Sequence, residues 1–299
     1  MRDLDFNVDL HLHSYYSDDG EYTPKELIDI GYKNKMSVLA IADHNSTQGV
    51  KEAVSYGKTL GITVIPAIEL DCTYNNINLH VLGYGVNPDY EKFEENRINI
   101  LNQEKRAAAK KVQIIKELGI YVDDDKVKEI SKDGVVTGEI IAEVALGDER
   151  NKDNKLLKEY FPGGNRDDNP YVNFYWDFCS QGKPAYVEIK YITLTEAINM
   201  INRAGGVAVL AHPGNNIKEN IDILDGIVEE GIVGIEAFSS YHSEYQRDFY
   251  IEQASRLKLS LTCGSDFHGK TKPKIQIGSV DCTSKKKEIL DGLIKHWLL

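Results

Sequence analysis

Residues 193–213 read TLTEAINMINRAGGVAVLAHP. A threonine with a glutamate three positions on, Thr193 and Glu196, is the reciprocal pattern that opens a helix. The helix stops at the paired glycines Gly205 and Gly206. A nearly unbroken apolar run, GVAVLAH, follows at once, as a parallel strand covered on both faces requires. That strand ends on His212. A helix feeding a buried strand is half of a βαβ unit, and the remainder of the chain repeats the theme.

Six further segments have the strand composition: NVDLHLH (7–13), SVLAIADH (37–44), ITVIPAIELD (62–71), INLHVLGYG (77–85), IVGIEAFSS (232–240) and LSLTCGSDFH (259–268). Helical patterns lie between most of them. TPKELIDIGYKN opens with Thr23 as cap, Pro24 at the first helical position and Glu26 closing the capping box. DFYIEQASRLK carries apolar residues at helical spacing before the last strand. Seven strands alternating with helices predict an α/β protein, an open sheet or a closed barrel. The alternation breaks between Pro88 and Ala185, where EKFEENRINILNQEKRAAAKKVQIIKELGI is one long helical pattern and shorter ones follow. Residues 88–185 are therefore expected to form a helical insert, with the α/β body built from 1–87 and 186–299.

The bulk numbers narrow the classes. The 299 residues are 41% apolar, and no apolar run approaches the roughly 18 residues that span a bilayer. MRDLDFNVDL lacks the apolar stretch of a signal peptide, so a cytoplasmic location is expected. The four cysteines, Cys72, Cys179, Cys263 and Cys282, form no CxxC pair and read as buried thiols. A formal charge of −12 argues against a general grip on long duplex nucleic acid. It leaves an anionic small substrate open, because acids that bind divalent cations lose their charge locally.

The histidines carry the chemistry. In VDLHLHSYYSDDGEYTP (8–24), His11 and His13 lie two apart on a strand and so face the same way, just before a run of acids. His44 ends the second strand, His80 lies in the fourth, His212 ends the fifth, and His268 ends the seventh beside Asp266. Glu69 closes the third. Six of the eight histidines thus stand at or near strand C-termini, the edge where parallel α/β folds bind ligands. Imidazoles and carboxylates converging there, with no thiolate, predict a polynuclear metal site.

These motifs, HLHS with SDDG, IADHN, IPAIEL, HVLGYG, GGVAVLAHP and GSDFHG in that order, resemble those of the PHP (polymerase and histidinol phosphatase) superfamily. The resemblance covers the α/β body and the position of the insert. It implies a distorted seven-stranded (β/α) barrel with an inserted helical subdomain, and hydrolysis of phosphoric esters of nucleotides or short oligonucleotides. It also implies three divalent metal positions, filled by manganese, iron or zinc. His11, His13, Glu69 and Asp266 would hold the first, Glu69 with His80 and His212 the second, and Asp18, His44 and His268 the third. Relatives often read SDG where this chain has SDDG; spacing from His13 selects Asp18, whereas spacing to Pro24 would select Asp19. Attack by metal-bound hydroxide on phosphorus is the chemistry expected of such a site. Asp43 would orient a ligand from behind or serve as a strand-end acid, and for His242, after the sixth strand, the resemblance implies contact with the substrate phosphate or an outer metal role, against a polar residue of a helix-start loop.

The insert should decide the substrate. Its first helix carries Arg97, Lys105, Arg106, Lys110 and Lys111, read as a solvated face, or with Arg97 or Arg106 as grips on a second phosphate. YVNFYWDFC (171–179) is read as insert core, or as a base-stacking surface. Relatives often carry a basic residue before the short helix TGEIIAEVA; here Gly138 and Glu139 stand instead. Two alternatives accompany the leading reading: a small-metabolite phosphatase of the histidinol phosphatase kind, and a non-catalytic metal-binding accessory module.

Overall fold

All seven expected segments form strands, and the computed structural model, which describes residues 6–297, adds a two-residue eighth. In chain order the strands are β1 (Val8–Leu12), β2 (Val38–Ile41), β3 (Thr63–Tyr74), β4 (Ile77–Tyr84), β5 (Ile192–Thr193), β6 (Val207–Leu210), β7 (Gly234–Ser239) and β8 (Ser260–Gly264). Seven of them pair in the order β1-β2-β3-β4-β6-β7-β8, and the short β5 lies alongside β3. The first and last strands close on each other. Asp266 N–H donates to the His11 carbonyl at 2.9 Å and His13 N–H to the Phe267 carbonyl at 2.9 Å. The result is a nearly closed barrel of seven strands.

One strand departs from the parallel pattern. β4 runs antiparallel to both β3 and β6. The reason is local: only Asn75 and Asn76 join β3 to β4, with φ of +49° and +62°. A two-residue turn with both φ positive returns the chain beside itself and cannot make the long crossover that a parallel pair needs. Its register puts Asp71 opposite His80. Directly opposite residues share a face, so His80 joins the ligand edge from the middle of a strand rather than from its end.

Helices α1 (Pro24–Lys33), α2 (Val50–Thr59), α7 (Leu194–Arg203), α9 (Ile221–Glu229), α10 (Glu244–Leu257) and α11 (Lys286–Trp297) follow strands of the barrel, and the one-turn α8 (Pro213–Asn216) follows β6. The expected capping boxes form at Thr23/Glu26 and Thr193/Glu196, and Ser243/Gln246 adds a third. After α7 the chain turns through Gly205 at φ +83° and passes Gly206, where a Cβ would lie 2.7 Å from the Tyr84 carbonyl. Only glycine permits that approach of β6 to β4.

Between β4 and β5 the chain leaves the barrel as the 27-residue α3 (Glu91–Glu117) and continues through α4 (Asp124–Ile130), α5 (Gly138–Leu146) and α6 (Pro170–Phe174). These helices enclose an apolar cluster of their own around Ile115, Ile141, Leu157 and Phe174. Phe174 and Phe178 stack there with centroids 4.6 Å apart. The YVNFYWDFC segment serves two masters: Phe174 is buried in this core, while Tyr175 and Trp176 line the cleft toward the barrel. No helix among the described residues is long and apolar enough to cross a membrane.

Candidate metal centre

Glu69, in the middle of β3 rather than at its end because the strand runs on to Tyr74, is fully buried and is the hub. Five imidazoles bring a nitrogen close to its two oxygens: His11 and His13 Nε2 at 3.2 Å, His44 Nδ1 at 3.1 Å, His80 Nδ1 at 3.0 Å and His212 Nε2 at 3.2 Å. Strand alternation explains much of this. His11 projects inward from β1, His13 follows just past its end, and Glu69 and Asp71 share one face of β3. His212 and Asp266 enter from strand ends with positive φ, +22° and +56°. Such backbone conformations are costly for residues with a Cβ and persist where surrounding structure holds them.

Three overlapping groups of ligand-type atoms result, the atoms of each lying within 4.8 Å of one another: His11, His13, Glu69 and Asp266; His44, Glu69 and His80; and His13, Asp19, His44 and His268. Asp19 belongs to this cluster where Asp18 was expected. Its Oδ2 lies 3.2 Å from His268 Nε2, whereas Asp18 lines the cleft beside it. The doubled aspartate leaves both registers open in sequence, and the turn between His13 and Pro24 decides between them.

His242 also departs from expectation. Its Nδ1 donates to the Ala237 carbonyl at 2.8 Å and its Nε2 accepts from Gly214 N–H at 3.0 Å. With both nitrogens taken by backbone and its ring on Tyr250, it ties the loop after β7 to α8 and lies outside the ligand cluster. The preceding residue, Tyr241, faces the cleft instead. Its ring sits 5.6 Å from that of His212 and 5.0 Å from Lys272 Nζ, and its hydroxyl bonds Asp266.

Several supporting groups went unforeseen. Glu236, a lone acid in the apolar strand β7, accepts from His11 Nδ1 at 3.0 Å and from His212 N–H at 2.9 Å. Lys272 is buried with its Nζ 2.6 Å from Asp266 Oδ2. Asp71 faces His80 Nε2 at 3.2 Å; its position two residues after Glu69 was the available signal. Asp43, named from sequence as an orienting residue, reaches His13 through the unforeseen Ser17: the serine hydroxyl donates to Asp43 at 3.1 Å and lies 2.9 Å from His13 Nδ1. The contacts of Glu236 and Ser17 with the Nδ1 atoms of His11 and His13 leave each Nε2 to present a lone pair.

The electrostatics are those of a site built for cations. Burial favours a neutral Glu69, but the imidazoles of His11, His44 and His80 outweigh it and hold the carboxyl well below its usual range. For Asp266, burial is likewise outweighed, by Lys272, His268 and His11. His13 is driven down to about 4 by burial and by its neighbours His268 and His44. Glu139 rises to about 7 through burial and the nearby Asp19. Asp19 Oδ1, His44 Nδ1, Glu69 Oε2 and His268 Nε2 are buried and make no hydrogen bond of proper geometry, although His44 Nδ1 lies 3.1 Å from Glu69 Oε2 and His268 Nε2 lies 3.2 Å from Asp19 Oδ2. His11 and His13 Nε2 face each other at 3.0 Å. Buried donors and acceptors left unpaired are expensive unless something else satisfies them. Four such atoms directed into one space, all nitrogen or oxygen, fit divalent metal ions.

Known proteins share this frame. The sequence profile described as PHP domain matches residues 9–163. A 5'-3' exoribonuclease of Haemophilus influenzae is 28% identical over 97% of this chain and 97% of its own length. A 3',5'-nucleoside bisphosphate phosphatase of Chromobacterium violaceum is 27% identical over 88% of this chain and 87% of its own. The crystal structure of a Bifidobacterium adolescentis protein, named for metal-dependent phosphoesterase activity, superposes with a TM-score of 0.76. It covers 98% of this chain and 97% of that one at 23% identity, a likeness of fold.

Proposed function

The chain belongs to the PHP domain family, and on that premise we propose that it is a metal-dependent phosphoesterase acting on phosphate esters of nucleotides or short oligonucleotides. One observation carries the reading: five imidazoles surround the two oxygens of a single buried carboxylate, Glu69. Three divalent ions, manganese, iron or zinc, would be held by His11, His13, Glu69 and Asp266; by Glu69, His80 and His212; and by Asp19, His44 and His268. When bound, such ions acidify water and polarise phosphoryl oxygens.

The chain's own groups do the rest. Glu236 and Ser17 hold the Nδ1 protons of His11 and His13, so that each Nε2 points into the site. Lys272 and Tyr241 place an ammonium and a hydroxyl beside Asp266 on the cleft side, where they would neutralise and orient a phosphoryl oxygen. The same reading takes residues 88–185 as an insert that roofs the site, with 1–87 and 186–299 as the barrel.

A second reading, a small-metabolite phosphatase, is favoured by size. The cleft encloses about 150 Å³, comparable to a cavity that accepts benzene. A phosphate-release screen on protein reconstituted with manganese, iron or zinc separates the two. It includes mononucleotides, 3',5'-bisphosphates, short RNA and histidinol phosphate. Release from nucleotides or RNA, lost in His11→Ala, is the expected result. Metal-loaded protein that releases no phosphate from any ester overturns both readings.

A further inference from the structure

Two of the four cysteines meet where β8 packs against the segment that leads into α11. Cys263 is in β8, and Cys282 opens the single turn Thr283–Lys285 that precedes the helix. Both belong to the main apolar core, at 1% and 4% exposure. The Cys263 thiol donates toward the Cys282 sulfur and lies 3.7 Å from the Val280 carbonyl. Of the other two, Cys72 is buried in β3 and Cys179 in the core of the insert. Burial pushes the Cys179 thiol up to about 12 and that of Cys72 higher still.

The two thiols in contact are not equivalent. Cys263 is held within the strand, whereas Cys282 lines an open pocket of about 240 Å³ together with Asn7, Met36, Asp281 and Lys286. That is ample room for an oxidant scarcely larger than water. The Cys263 S–H, and after it the Lys286 ammonium, favour a thiolate at Cys282 and hold it below the ordinary thiol range, against burial and the Asp281 carboxylate. Lys286 is fixed there by Asn7, whose Oδ1 accepts from its Nζ at 3.0 Å. For Cys263 the same contact, with burial, raises the thiol well above its usual range. A thiolate reached from a surface pocket and backed by a second thiol is the arrangement of a redox-active pair.

We propose that Cys282 and Cys263 form a peroxide-sensitive dithiol that closes reversibly to a disulfide, stapling β8 to the turn before α11. The Cys282 thiolate attacks one oxygen of hydrogen peroxide, the O–O bond breaks, and hydroxide leaves with the electron pair, giving a sulfenic acid. The Cys263 sulfur then displaces the sulfenic hydroxyl as the S–S bond forms, and its proton leaves with that hydroxyl as water. The proton lost from Cys282 goes to the first hydroxide, so two thiols and one peroxide give one disulfide and two waters. The pair shares no residue with the ligand cluster, and the proposal is independent of the phosphoesterase reading. The test treats the reduced, folded full chain, reconstituted with manganese, with a small molar excess of hydrogen peroxide. Remaining thiols are then blocked with N-ethylmaleimide in denaturant and counted, and the digest is mapped by mass spectrometry. Two of the four thiols should be lost, the peptide carrying Cys263 should be linked to the one carrying Cys282, and dithiothreitol should restore both. In Cys263→Ser, dimedone should trap Cys282 as the sulfenic acid; in Cys282→Ser, Cys263 should remain a thiol. Survival of all four thiols in the wild-type chain, or a link between any other pair, overturns the proposal whatever the variants do. Oxidation of Cys263 in folded Cys282→Ser at the wild-type rate overturns the order of attack.

Discussion

Asp18 and Asp19 are chemically the same residue in adjacent positions, yet the turn gives them different surroundings. Asp19 faces His268, while Asp18 is pushed up to about 6 by burial and by the carboxylates of Glu104 and Asp19. Asp19→Asn should therefore lower bound metal per chain, read by elemental analysis, and cut phosphate release by about 100-fold or more. Asp18→Asn should leave metal content at the wild-type level. The opposite pattern would return Asp18 to the site. Asp9 makes a separate prediction beneath the cluster. It accepts backbone N–H bonds from Ser265 at 2.9 Å and Gly278 at 2.8 Å, but burial outweighs them and raises its pKa from 3.8 to about 6. The folded state keeps this proton to higher pH than the unfolded chain does. Its contribution is thus complete below pH 3.8 and disappears as pH rises through 6, about 3 kcal/mol in all at 1.36 kcal/mol per unit. Asp9→Asn should flatten that part of the stability profile in denaturant titrations. A variant with the wild-type slope would contradict the assignment.

Among the elements, the β3–β4 hairpin matters most for the site. It alone turns a parallel barrel into a mixed one, and it sets the register that puts His80 across from Asp71. Asparagine tolerates the left-handed backbone of its turn better than any other residue with a Cβ except aspartate, and β-branched residues tolerate it poorly. Asn76→Val should cost about 1–2 kcal/mol in chemical denaturation, whereas Asn76→Gly should be neutral or slightly stabilising. Equal stability of the two variants would mean that pairing along the strands, rather than the turn, sets the register. The helices were more legible than this strand. Thr23, Thr193 and their partner glutamates announce helix starts by spacing alone, because a capping box is a contact over three residues. The direction of β4 depends on a two-residue connection whose backbone angles sequence pattern constrains far less.

For the whole molecule, a cluster of buried carboxylates and imidazoles is a destabilising load that only cations relieve. Glu69, Asp266, His11, His13 and His268 are all buried, as is the Lys272 that pairs with Asp266. Metal binding should therefore report as stability. Chelator-treated protein should melt at least about 5 °C below the same protein given excess manganese or zinc, the shift expected when binding adds a few kcal/mol to a chain of this size. Differential scanning calorimetry with and without metal checks this. Indifference of the melting temperature to metal would mean that the cluster is satisfied by protein groups alone.

Sequence by itself determined the α/β class, the seven main strands, the place where helices interrupt them, and eight of the nine residues expected as ligands that the structure gathers. Those features are local: alternation, capping and strand-end histidines are properties of neighbours along the chain. Tertiary structure alone decided that Asp19 rather than Asp18 faces His268, that β4 runs against its neighbours, and that His242 spends both nitrogens on backbone while Tyr241 turns inward. It also brought Glu236 and Lys272 to the cluster, two residues that no spacing rule connects to a histidine more than two hundred positions earlier in the chain, His11. The physical reason is the same in each case. Which of two adjacent side chains faces a site, and what supports it from behind, is set by packing between elements distant in sequence, and local periodicity carries no record of that packing.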